Sequence, residues 1–139
     1  MTVKMVLLPV FVQVALTIVL LLWMARVRTA SVKSGETKMR DIALGQPNWP
    51  DQPTKVANSY HSQFQLPLLF YVVVLWAWIT RTADVVFVVL EWLFVLLRLG
   101  HAYVHVTSNH VPTRFQVFAC GLLAVVIMWI YFAVKIILA

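Results

Sequence analysis

Hydrophobic positions along this chain fall into four long runs, at residues 5–25, 59–79, 85–106 and 115–138, with polar stretches between them. Each run is long enough for a helix rising about 1.5 Å per residue to cross a hydrocarbon layer about 30 Å thick. The first run, Met5 to Met24, has Gln13 and Thr17 as its only clearly polar members. A signal peptide would carry a shorter apolar core and a small-residue cleavage site, so this run reads as a retained anchor. "TRTAD" joins the second run to the third and "TSNHVPTR" the third to the fourth, connections short enough to require antiparallel neighbours. The pattern predicts an all-α integral membrane protein, a four-transmembrane-helix bundle forming a single domain over residues 1–139, with one long polar loop at 26–58.

Composition supports the bilayer as solvent. A 139-residue chain that is 62% hydrophobic and 12% charged has too little polar side chain to cover a water-facing surface. The net charge of +6 would favour nucleic acid in a soluble protein, but here most of it flanks apolar runs, where it reports topology; no nucleic-acid partner is expected. The loop carries Arg26, Arg28, Lys33, Lys38, Arg40 and Lys55, and Arg114 falls on the same side, against Lys4, Arg81 and Lys135 opposite. By the positive-inside rule the loop faces the cytoplasm and both termini lie outside. Within the loop, "GQPNWPDQP" is rich in turn formers and Trp49 suits the headgroup level; an interface-hugging segment and a solvated linker both fit. The single cysteine, Cys120, excludes an intrachain disulfide and reads as a small buried hydrophobe. No internal repeat appears, which argues against a transporter built from inverted halves.

Polar residues inside the runs carry the candidate chemistry. Asn58, His61, Ser62 and Gln65 recur at spacings of three and four, so they share one helical stripe at the start of the second span. In the third, Glu91, Arg98 and His105 are seven apart, which keeps them within about 40° of one another, and His101 lies on the adjacent edge. Charged side chains at such depth are costly in lipid, so the stripe is expected to face protein or a wet cavity. Chain direction brings Asn58, His61, Ser62 and Gln65 of the second span and Arg98, His101 and His105 of the third to the cytoplasmic half, level with Arg114 and near Arg26 and Arg28. The excess of cationic donors over carboxylates predicts an anionic guest, because Arg offers planar bidentate donors to carboxylate or phosphate. Taken singly, Arg26, Arg28 and Arg114 also fit as snorkelling topology anchors, and Glu91 as the partner of a cation on a neighbouring helix. His101 and His105 stand at i and i+4 without the Glu of a zinc-protease helix or any nearby Cys, and no metal is expected. A b-type haem held by His61 with His101 or His105 stays open as a rival use, though not the expected one. Pro67 removes a donor one turn into the second span and should bend it beside the polar stripe.

These residues resemble those of the MAPEG family, the membrane-associated proteins of eicosanoid and glutathione metabolism that include microsomal glutathione transferases. The resemblance covers nearly the whole chain and is sharpest in "RLGHAYVHVTSNHVPTR", Arg98 to Arg114, which matches the family's Arg, His three later, and Pro-x-Arg opening the fourth helix. It implies a homotrimer with glutathione bound between adjacent subunits near the cytoplasmic side. It further implies that Arg98, His101 and Arg114 line that site, with Arg114 placed to stabilise the thiolate. The family's second-helix pattern of Arg, then Asn four later, then Glu three after that is matched here by Asn58, Ser62 and Gln65, ahead of Pro67, so the helical spacing is kept and the charges are not. His105 stands where many animal enzymes have Tyr.

The leading expectation is therefore an enzyme of the bacterial inner membrane that takes glutathione or a related thiol as co-substrate. It would transfer the thiol to a lipophilic small molecule or reduce a lipid hydroperoxide. Arg114 is the candidate catalytic residue, and Arg98, His101, His105, Asn58, His61, Ser62, Gln65 and Arg28 the candidate thiol-binding residues. Two alternatives remain: a non-catalytic lipid-binding or accessory subunit of a larger membrane complex, supported by the neutral second-helix residues, and polar stripes that only glue helices together.

Overall fold

The computed structural model describes residues 1–139 as five α-helices and one short 3-10 turn, with no strand. The helices are α1 (Val3–Lys33), α2 (Asp51–Ser62), α3 (Leu66–Ile79), α4 (Val85–Val106) and α5 (Val111–Leu138), and the 3-10 turn at Met39–Asp41 lies in the long loop. Taken in line, α2 and α3 form one span, so four helical segments are long and apolar enough to cross a membrane. At 31 residues α1 is about 46 Å long, more than an apolar layer of about 30 Å requires. The helix thus carries on through Arg26 and Arg28 to Lys33, and the helix that leads into the second apolar run begins at Asp51, ahead of the run itself. The polar loop is accordingly shorter than expected. Hydropathy marks where lipid contact ends, whereas a helix ends where its backbone bonds do, and polar flanks with good helix propensity continue the ladder.

The expected bend in the second span is a break. Pro67 has no N–H to give the carbonyl of Gln63, and the backbone from Gln63 to Gln65 closes tight three-residue turns instead: Gln63 to Tyr60 (3.0 Å), Phe64 to His61 (3.1 Å) and Gln65 to Ser62 (3.3 Å). The break is tied from behind. Gln13 of α1, fully buried, donates through Nε2 to Gln63 Oε1 at 2.9 Å, and Gln63 Nε2 donates to the Ser59 carbonyl at 2.9 Å. A polar group in the apolar interior is tolerated when it finds such a partner.

Helix α4 is the central element, packing against α1, α2 and α5. Its inward positions join Phe70, Val73 and Ala77 of α3, Val6 of α1, and Ala124, Val125 and Met128 of α5 in the main core. Phe70 and Phe94 stack with centroids 4.7 Å apart. A smaller cluster of Leu20, Val56, Ala102 and Val106 seals the end of the bundle that carries the long loop. At the opposite end Asp84 caps α4 by accepting from Phe87 N at 3.0 Å. The same carboxylate accepts from Tyr131 at 2.6 Å and pairs with Lys135, which also donates to the Thr82 carbonyl at 3.0 Å. The end of α5 is thereby clamped to the turn between α3 and α4. Partial burial alone would raise the Asp84 pKa, but the bonds from Lys135, Tyr131 and the Phe87 amide outweigh it and lower the value to about 2.

Cys120 is exposed on α5 rather than buried. The one-cysteine sequence gave no helical phase for α5, and the face of α5 that packs inward runs instead through Gly121, Ala124, Val125 and Met128.

Candidate functional site

At the loop-bearing end, the helical register turns four segments toward one space. Asn58, His61 and Ser62 come from α2, Gln65 from the break, His101 and His105 from the last two turns of α4, and Val111, Arg114, Phe115 and Phe118 from the first turns of α5. Together they line a cavity of about 470 Å³, within the size range of small-molecule sites. Seven of the eight binding residues expected from the sequence are gathered here or directly behind it, with Arg114 among the lining groups.

The lining joins the polar groups of α2, the break and α4 to Arg114 and the two phenylalanine rings of α5. His101 and His105 are buried, their rings meet edge to face at 5.4 Å, and His101 lies 5.9 Å from Phe118. The Nδ1 atom of each is buried without a hydrogen-bond partner. Buried ring nitrogens are ordinarily paired, and these two are covered by protein, so it is other parts of the two rings that line the cavity. Arg114 donates through Nη1 to Asn109 Oδ1 at 2.6 Å, a neutral acceptor, and no carboxylate lies within ion-pairing distance, so its charge is unneutralised. Asn109 sits in the left-handed region at φ 50°, a conformation that Asn accepts better than most residues and that aims its amide at Arg114.

Arg98 does not line the cavity. It is 1% exposed, behind the α2 wall, where Nη2 donates to the Ser62 carbonyl at 3.1 Å and to Ser62 Oγ at 2.7 Å. It therefore holds the end of α2 at the break, with Nε and Nη1 unpartnered. Arg28 lies farther off, lining a neighbouring cavity of about 370 Å³ under the long loop with its guanidinium 4.6 Å from the Trp49 ring centroid. Asn58 and His61 belong to both cavities and form the partition. Glu91 is placed differently from expectation. It is fully buried, and neither carboxylate oxygen has a partner. No three His, Cys, Asp or Glu side chains converge as a metal-holding group.

The cavity's chemistry is thus a positive and hydrogen-bonding floor beside an aromatic wall, at one end of a membrane bundle. A family model, that of the MAPEG family, matches residues 6–134. The chain belongs to the MAPEG family. No curated protein and no solved structure matches it. Membership in MAPEG makes the four apolar helices those of an integral membrane four-helix bundle. The match takes in every lining residue of the cavity, from Asn58 to Phe118.

Sequence reasoning missed five contributors to this MAPEG site. Gln13 and Gln63 brace the break from inside, and the lone amide of the first apolar run was the available sign, since an intramembrane amide needs a partner. Asn109, which orients Arg114, was indicated only by its turn setting in "TSNHVPTR". Val111 enters the lining because α5 starts there, one turn before the apolar run does, and Phe118 because it stands one turn after Arg114 on the same helix.

Proposed function

We propose that this MAPEG protein is a membrane enzyme that binds glutathione or a related thiol and delivers it to a lipophilic electrophile or a lipid hydroperoxide. The observation that carries the reading is the unneutralised Arg114 lining one cavity together with the His101 and His105 imidazoles and the Phe115 and Phe118 rings. An adjacent fixed cation lowers a thiol's pKa, so Arg114 would hold the bound thiol as thiolate. His101 and His105 would bond the peptide or take the thiol proton, and Asn58, His61, Ser62 and Gln65 would contact its polar parts. Arg98 acts through Ser62 as a positioning residue, and Arg28 would meet the ligand only across the partition formed by Asn58 and His61. In conjugation the thiolate sulfur bonds the electrophilic carbon while the leaving group departs with its electron pair. In peroxide reduction the sulfur takes the terminal oxygen, the lipid alkoxide gains a proton, and a second thiol yields disulfide and water. The bilayer would concentrate the apolar substrate at the aromatic wall. The reading includes a homotrimer with the site between subunits, in a bacterial inner membrane with the long loop cytoplasmic, as family resemblance and the Lys/Arg distribution imply.

A second reading, a non-catalytic lipid-binding or accessory subunit of a larger membrane complex, is favoured by one observation: the α2 wall presents only neutral groups, Asn58, Ser62 and Gln65, beside His61. Calorimetric titration of glutathione into the purified protein, repeated with Arg114→Ala, separates the two. Saturable binding that Arg114→Ala abolishes supports the enzyme. No binding up to millimolar glutathione, with a stable membrane partner in the preparation, supports the accessory subunit.

A further inference from the structure

The long loop between α1 and α2 is ordered, and the Arg114 cavity gives it no role. It folds back on the end of α1. Ser31 Oγ and Thr37 Oγ1, both buried, lie 2.6 Å apart, and the Thr37 amide donates to the Ser31 carbonyl at 3.2 Å. Beyond the 3-10 turn, Asn48 Nδ2 donates to the Asp41 carbonyl at 2.6 Å and closes the stretch between them. The Trp49 ring then lies against the Arg28 guanidinium. Thr29, Val32 and Lys33 of α1 meet Met39 and Trp49 of the loop around a groove of about 300 Å³, which Arg28 also lines. A solvated linker would make none of these contacts.

The depth of the groove follows from the helix that carries it. The first apolar run ends at residue 25, and at about 1.5 Å per residue Arg28 to Lys33 stand about 4–12 Å beyond it, a height that any tilt of the helix reduces. The headgroup layer occupies about 5–7 Å on each side of the hydrocarbon, so the groove begins at the level of the lipid phosphates. Helical side chains lean toward the N-terminus, which here is toward the membrane, and the long Lys33 reaches back to that level. Leu44 is held at a similar height, because its neighbour Gly45 lines the adjoining cavity with Arg28. Met39 and Leu44 are 72% and 88% exposed, and Met39 stands between Lys38 and Arg40. Apolar side chains flanked by cations mark a segment lying in a membrane interface, where the apolar group enters the acyl boundary and the cation stays among headgroups. Between Arg26 and Lys55 the chain has six basic and three acidic side chains, so the segment is attracted to a negatively charged surface.

We propose that this face binds an anionic phospholipid of the surrounding leaflet, with its phosphate at Lys33, its glycerol and upper acyl chain against Val32, Met39 and the Trp49 ring, and Leu44 inserted beside it. The loop is then an interfacial anchor that selects negatively charged lipid, and Arg28 orients the Trp49 ring within it. None of Lys33, Met39 and Leu44 lines the Arg114 cavity, so lipid binding here does not depend on what that cavity holds.

The test uses the full-length protein in nanodiscs of phosphatidylcholine mixed with an equal part of phosphatidylglycerol. Leu44→Cys on a Cys120→Ser background carries a nitroxide, whose depth is read by power saturation with oxygen as the lipid-side and a nickel chelate as the water-side relaxant. Native mass spectrometry of the released protein counts retained phosphatidylglycerol against phosphatidylcholine. The expected result is that oxygen reaches the label more readily than nickel and that phosphatidylglycerol is retained in preference. Lys33→Gln, a change at an exposed position, should lower that preference by about fivefold, the factor for one cation at an anionic surface, and Lys33→Arg should keep it. A label that nickel reaches more readily overturns the proposal and makes the loop a solvated linker. Equal retention of the two lipids, or a preference that Lys33→Gln leaves unchanged, overturns it too. Dipolar broadening between labels on neighbouring copies, without lipid preference, assigns the face to a contact between subunits and likewise overturns it.

Discussion

Replacing Glu91 with Met should make this membrane protein more stable. The residue is fully buried, both carboxylate oxygens are without partners, and the buried residues Phe87, Val88, Phe94 and Val95 on either side of it in α4 belong to the apolar core. A buried polar group with no partner costs about 1–3 kcal/mol, and more if it is charged. Met has nearly the same length and volume, adds no polar atom, and adapts to an irregular gap, so little strain offsets the gain. The expected change is a stabilisation of about 1–3 kcal/mol. Glu91→Gln, which keeps the polar atoms, should leave stability nearly unchanged. The assay is reversible unfolding in mixed micelles with increasing sodium dodecyl sulfate, followed by the fluorescence of the six tryptophans. Because Glu91 lies about 15 Å along α4 from His101, ligand affinity should stay the same in both variants. A Glu91→Met protein less stable than the parent by about 1 kcal/mol or more would refute the reasoning, since it would mean that the carboxyl gains from a buried water or a partner side chain.

Arg98→Met should leave the helical circular dichroism intact but weaken ligand binding at the cavity by about tenfold or more, because Ser62 loses both charge-assisted bonds that hold the break; unchanged affinity in calorimetry would show that Gln13 and Gln63 suffice. Asn109→Gly keeps the left-handed turn and removes the 2.6 Å acceptor of Arg114, so affinity for an anionic probe should fall by about threefold to tenfold with no loss of stability; an equal affinity would mean that Arg114 is aimed without it. Asp84 has a folded-state pKa near 2 against an ordinary value of 3.8, so it binds a proton more weakly folded than unfolded. Its stabilising contribution is complete above about pH 4 and is lost as pH falls toward 2. Asp84→Asn should therefore lower stability at neutral pH and match the parent near pH 2, and a constant difference across that window in denaturation curves would contradict the pairing with Lys135 and Tyr131.

Much of this protein is written in its linear pattern. Apolar runs of span length can be satisfied only by helices in lipid, where every backbone group must bond within its own segment, and that requirement made four crossing helices legible without any coordinates. Seven-residue spacing placed Glu91, Arg98 and His105 on one face of α4, and helical spacing did the same for Asn58, His61, Ser62 and Gln65, so the two polar stripes were also legible. What spacing does not encode is the partner across the gap. Only the packed helices show that Arg98 turns behind the wall to Ser62, that Glu91 is buried without a partner, and that Arg28 belongs to the adjacent cavity. Likewise Pro67 signals a disturbance of the ladder, but whether the chain bends or breaks depends on whether another group supports the freed segment. Gln13, fifty residues earlier on another helix, supplies that support. Local chemistry sets what each segment must bury, and the tertiary structure decides which groups meet, because those contacts depend on the rotation and depth of one helix against the next.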